Sequence, residues 1–245
     1  MSYQLIAGYY EDLLKNMANI ALMQRVINNS FQREFDLLNE YESNNSPLKI
    51  ISRDAFGYYD PFTGELEKYA FRQTSVEELK KLTLWQKNSQ YCWLLTQAYE
   101  WFEKYIFDSH VLLVSQKTNK NYLSTSLSFF SSKYPQIEKA EKTTVSRINL
   151  KVALLMIEQL RHQIVHVQGN VKNFDEFSKK IIDRSGVNND KLKHKEFFQQ
   201  FVLHDKVYLL ERPISDDCRL NLYHDIFTHL VSYLIGYSRL VKNSV

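Results

Sequence analysis

Four prolines and six glycines are the only strong chain breakers in 245 residues. A chain this poor in turn formers cannot make the many tight connections that an all-β sandwich of its size requires. It can make long helices, because unbranched side chains lose little freedom there and few residues interrupt the backbone. The N-terminal stretch shows the pattern. Leu5, Tyr9, Leu13, Met17, Ile20, Met23 and Ile27 recur at helical spacing and predict a helix over 3–42. Asn44-Asn45-Ser46-Pro47 ends it, since Pro47 drives Ser46 out of the α region.

The next segment differs in character. LKIISRDAFGYYD and ELEKYAFRQ are β-friendly runs that flank PFTGE, where Gly64 can take a positive φ, so a β-hairpin is expected over about 48–73. Ser75 and Glu78 form a capping box that starts a second helix, running to about Phe107 with an apolar face that includes Leu79, Leu82, Trp85, Leu94, Leu95, Ala98, Phe102 and Ile106. Residues 110–136 are ambiguous. A short helix or strand around Val111–Val114 precedes a Ser/Asn/Lys-rich loop with one or two helical turns, which presents Lys117, Lys120 and Lys133 beside Tyr122 and Phe129.

A third helix is predicted from about Thr143 to Gln168, with Ile148, Val152, Leu155, Leu160, Ile164 and Val167 as its buried stripe and Gly169-Asn170 as its C-cap. Asn173 and Glu176 open a shorter helix that ends at Gly186. Another spans about Asn189 to His204, KVYLLERPIS is an extended connector, and the last helix covers about Asp216 to Val241. The expected fold is all-α: an up-down bundle of four to five long helices with a small inserted β-hairpin, in one domain over 1–245.

Composition narrows the function classes. At 44% hydrophobic residues a sizeable core can form, and a formal charge of +3 neither demands nor excludes a nucleic-acid partner. Cys92 and Cys218 make no CxxC unit and are expected as reduced thiols, Cys92 buried in a helix. MSYQLIAGYYEDLL carries Glu11 and Asp12 and no basic stretch, so a signal peptide is not expected. Apolar runs such as Val152–Ile157 are too short to span a bilayer, and a cytoplasmic protein without a membrane partner is expected.

The chemistry-bearing stretch is LRHQIVH, residues 160–166, in the last turns of the third helix. His162 and His166 are four apart and can share a helix face, with Glu158 one turn earlier as a third metal ligand. The hydrolytic zinc pattern HExxH is broken, because Gln163 replaces the glutamate base. Capping is the plainer alternative: cations favour the negative end of a helix dipole, and Arg161 and His166 can serve there.

Arg161-His162-Gln163-Ile164-Val165-His166 resembles the Arg-x4-6-His signature of the HEPN superfamily of helical domains. A polar residue after the arginine and apolar residues before the last histidine match that pattern, and the resemblance covers about 75–241. It implies a metal-independent endoribonuclease, of toxin–antitoxin or defence type, that works as a homodimer with both motifs in a shared cleft and needs no cofactor. Arg161 would hold the phosphate, His166 would move protons, His162 would orient Arg161 or the phosphate, and Glu158 would position His162. Lys179, Lys180, Lys191 and Lys193 are candidates for RNA-backbone contacts, and Tyr122 and Phe129 for base stacking. RNA and a cognate antitoxin or regulatory protein are the expected partners. A non-catalytic HEPN-like module that binds a nucleotide or protein is the alternative.

Overall fold

The computed structural model describes residues 2–114, 122–213 and 223–245. The described residues are mostly helical, 69%, with eight helices and one sizeable antiparallel hairpin. In chain order these are α1 (Ser2–Ser43), β1 (Ile50–Tyr59), β2 (Leu66–Ser75), α2 (Val76–Val114), α3 (Leu123–Lys133), α4 (Pro135–Glu141), α5 (Leu150–Val167), α6 (Phe174–Ser185) and α7 (Lys191–Gln199). Two-residue strands β3 (Val202–Leu203), β4 (Lys206–Val207), β5 (Arg212–Pro213) and β6 (Tyr223–His224) precede α8 (Ile226–Ser244).

The chain divides into two compact units, Met1–Gln24 with Gln90–Val245, and Arg25–Ser89. In the larger unit α1 buries Ile6, Tyr10, Leu13, Met17 and Ile20. Their 4-3-4-3 spacing keeps a single seam, whereas the expected Leu5 and Tyr9 lie about 100° to one side, and Leu5 is exposed. Opposing apolar faces come from Leu94, Leu95, Phe102 and Ile106 on α2, Val152 to Ile157 on α5, and Leu230, Leu234 and Tyr237 on α8. The Tyr105 hydroxyl donates to the Ser238 carbonyl at 3.0 Å and ties α2 to α8. Cys92 is buried, and burial pushes its thiol up to about 12, which suits a packing residue.

The smaller unit holds the rest of α1, the hairpin and the start of α2. The capping box is present: Ser75 N donates to Glu78 Oε2 at 3.0 Å, and Glu78 N donates to Ser75 Oγ at 3.3 Å. Strands β1 and β2 pair antiparallel around Gly64 at φ 74°, with a register shift at Phe56/Gly57 that places Tyr69 beside Phe56 and Tyr58. Gly57 has no room for a side chain, since a Cβ there would meet the Glu67 carbonyl oxygen at 2.8 Å.

Several boundaries differ from those expected. The helix expected from Thr143 starts at Leu150, because Asn149 caps it and Arg147 takes a left-handed φ of 57°. The helix expected over Asn189–His204 ends at Gln199; β3 and β4 follow, joined by His204 and Asp205 at φ 48° and 58°. Both residues tolerate that left-handed turn better than most. Val111–Val114 belongs to α2, and the region after Tyr122 forms α3, a full helix rather than a turn or two. Trp85 is exposed. Lys117, Lys120 and Cys218 lie outside the described residues. No described helix is long and apolar enough to cross a membrane.

Candidate functional site

The motif sits where α5 emerges from the core. The helix begins under the Asn149 cap, whose Oδ1 accepts from Lys151 N at 3.0 Å and Val152 N at 3.4 Å. It ends in two left-handed residues, Gln168 at φ 55° and Gly169 at φ 76°. The Gln168 amide and the Gly169 amide, the latter at 2.8 Å, both reach back to the Gln163 carbonyl and cap the helix end. The expected Gly169-Asn170 cap is therefore shifted by one residue, and the first left-handed position is a glutamine.

The chain beyond the cap is held in place. Val207 N donates to Gly169 O at 2.8 Å and Val171 N to Asp205 O at 2.7 Å, so the β3–β4 turn pins it. Asn173 then caps α6 by accepting from Glu176 N at 3.1 Å. The C-terminal turns of α5, this tether and the start of α6 enclose a cleft of about 520 Å³. His166, Gln163, Lys172 and Lys180 line it, over the buried side chains of Val171 and Phe177.

The motif residues do not share one face. Arg161 turns toward α2, where its Nη2 lies 3.5 Å from Glu100 Oε1 and its Nε is buried with no hydrogen-bond partner. His166 lines the cleft, and the His162 ring lies 4.6 Å from it, centroid to centroid. This follows from helix geometry, since five residues turn the direction by about 140°. Desolvation lowers the His162 pKa, and the neighbouring His166, Lys180, Arg161 and Arg184 lower it further. That holds His162 toward its neutral form, a hydrogen-bond acceptor as well as a donor.

Glu158 takes a different partner from the one expected. Its Oε2 lies 2.8 Å from Arg184 Nη2 on α6, so it braces α5 against α6. Burial raises its pKa and Arg184 opposes the shift. Among the described residues no three His, Cys, Asp or Glu side chains gather in a metal-binding group.

Of the expected RNA-contacting lysines, Lys180 reaches the His166 cleft. Lys179 is exposed on α6, and Lys191 and Lys193 lie on α7 beyond the cleft lining. Tyr122 is exposed, while Phe129 stacks on His110 at 4.5 Å and is occupied by that contact. Sequence reasoning missed Lys172 and the amide side chains Gln159, Gln163, Gln168, Asn170 and Asn173, all of which line the cleft. The signal was present: Gln159, Gln163 and His166 fall at i, i+4 and i+7, one helix face.

Comparison with protein-family models, curated proteins and solved structures found no match.

Proposed function

We propose that this chain is a HEPN-type, metal-independent endoribonuclease whose reactive surface is the exposed C-terminal end of α5. The observation that carries this reading is His166 set in a basic cleft beside His162, with Lys172 and Lys180 on the rim. A histidine at a cleft between lysines suits proton transfer at a phosphodiester. The 2′-oxygen of the substrate attacks the adjacent phosphorus and the 5′-oxygen leaves. His166 takes the 2′-OH proton or supplies the one the leaving oxygen needs. The products are a 2′,3′-cyclic phosphate and a 5′-hydroxyl end. The nucleophile belongs to the ribose, so DNA is not a substrate.

Arg161 completes the site from a second copy of the chain. Val165 and Val167 are 47% and 43% exposed on the same helix end, and apolar side chains there favour a two-fold contact that brings one copy's Arg161 toward the other's His166. Arg161 is available for this, since its Glu100 contact is long and its Nε has no hydrogen-bond partner. The finer architecture belongs to the same proposal: an up-down arrangement of the long helices, acting in the cytoplasm as a toxin or defence effector.

One observation favours the non-catalytic alternative. Within one chain Arg161 pairs with Glu100 and His166 faces elsewhere, as two structural caps would. The test is incubation of RNA with the full chain in excess EDTA, followed by end-group analysis. Cyclic phosphates from RNA, and no cut at a 2′-deoxy linkage, are expected. Binding of RNA without cleavage by folded dimeric protein would favour the module.

A further inference from the structure

The cleft beside His166 is lined by carboxamides to an unusual degree. Gln159, Gln163, Gln168, Asn170 and Asn173 all contribute, against one acid, Glu176. Three observations set this apart from an ordinary polar surface. Gln159 lines the cleft although it is only 4% exposed. Gln163 and Gln168 line the same cleft from the last turns and cap of α5. Gln168 also holds a left-handed backbone, φ 55° and ψ 36°, at a cap position where glycine would cost nothing. A strained residue at a cleft wall points to a use for its side chain.

The two asparagines are already oriented. Asn170 Nδ2 donates to the Val167 carbonyl at 2.7 Å, which leaves its Oδ1 as an acceptor. Asn173 Oδ1 is consumed by the α6 cap at 3.1 Å, which leaves its Nδ2 as a donor. The cleft thus offers a fixed acceptor and a fixed donor, with adaptable glutamines between α5 and the tether. Beneath them Val171 and Phe177 give an apolar floor. An apolar floor with a few convergent amides recognises a flat heterocycle with mixed donors and acceptors, and Lys172 and Lys180 suit its flanking phosphates.

We infer that this cleft is a nucleobase pocket that selects adenine, with Gln163 and Gln168 as its specificity-determining residues. The inference rests on the RNA-directed reading of the same site and names the base it holds. Adenine sets a donor beside an acceptor on both its Watson–Crick and its Hoogsteen edge, and each pairs with one carboxamide. Cytosine and uracil have one such edge, and the guanine Hoogsteen edge shows two acceptors, which suit arginine or lysine.

The experiment measures binding, so that it does not depend on cleavage. Fluorescein-labelled 2′-fluoro octamers of A, C and U, which cannot undergo 2′-oxygen attack, are titrated into the full chain and followed by anisotropy. The A octamer should bind about tenfold more tightly than the U octamer, the scale of one good bidentate pair. Gln163→Ala and Gln168→Gly should bring that ratio near one by weakening A binding more than U binding; glycine fits the left-handed backbone, so the second variant keeps its fold. Lys180→Ala should weaken both octamers alike and keep the ratio. Equal binding of A and U by the wild type, or an A preference that survives both glutamine variants, would overturn the inference. An A preference in a protein that cuts no RNA would leave the pocket standing and remove the nuclease. Cleavage without base preference would do the reverse.

Discussion

The two halves of α5 have opposite fates. From Val152 to Leu160 every side chain is buried except Glu158, which is half-buried and paired to Arg184. From Arg161 to Gln168 none is buried, although Ile164, Val165 and Val167 are apolar. A helix that served only the core would bury those three. The first half is a packing element whose residues answer to volume. The second is a surface that carries charge, amides and exposed valines.

That contrast can be broken by substitution. Leu160, fully buried just before the boundary, should cost about 2–5 kcal/mol of stability when changed to Ala, from lost transfer energy and the cavity left behind. Urea unfolding checks this, and a loss near zero would mean that the buried half is looser than described. At the opposite end, Asn149→Ala removes the acceptor for two orphan amides and should cost about 1 kcal/mol. Changing Gln168 to Gly should have the opposite sign: relief of its left-handed backbone should stabilise the fold by roughly 0.5–1 kcal/mol. A destabilised Gln168→Gly would show that this glutamine makes a structural contact.

The smallest effect concerns pH. The folded chain holds the His162 pKa below the ordinary value of about 6.5, so between the folded and unfolded pKa values the unfolded chain binds more protons. The penalty is absent above the unfolded value and grows as pH falls through about 6.5 toward the folded pKa. An imidazole NMR titration should therefore show a midpoint below that of a model histidine. A His162→Asn variant should lose less stability than the wild type between pH 7 and 5. A midpoint at or above the model value would contradict the assigned desolvation.

How much of this was legible in the sequence follows the same divide. Local chemistry was readable wherever neighbours in sequence make the structure: the Ser75–Glu78 capping box, the Asn173 cap and Gly186 at φ 70° all stand where the residue types put them. The helical character and the hairpin around Gly64 were readable for the same reason. Register against distant partners was not. The α1 seam falls on Ile6 and Tyr10, Ile164 is only half-buried and Val167 is exposed, because burial depends on which helix packs opposite. The motif's helix end was found, but the cleft needs α6 and the Asp205 tether, and no periodicity in α5 announces either. Glu158 was read as a neighbour of His162 one turn away, and its stronger partner, Arg184, came from another helix.

The proposed function requires the exposed half of α5 to be a reactive surface and not a cap. The most direct measurement is the cleavage rate of one defined RNA in excess EDTA by wild type, Arg161→Ala and His166→Ala, with the melting temperature of each. His166→Ala is expected to lose rate on the order of 10²–10⁴, the range of general acid–base contributions, with melting temperatures close to wild type. A His166→Ala chain that cuts as fast as wild type, or one that loses activity only as it loses its fold, would contradict it.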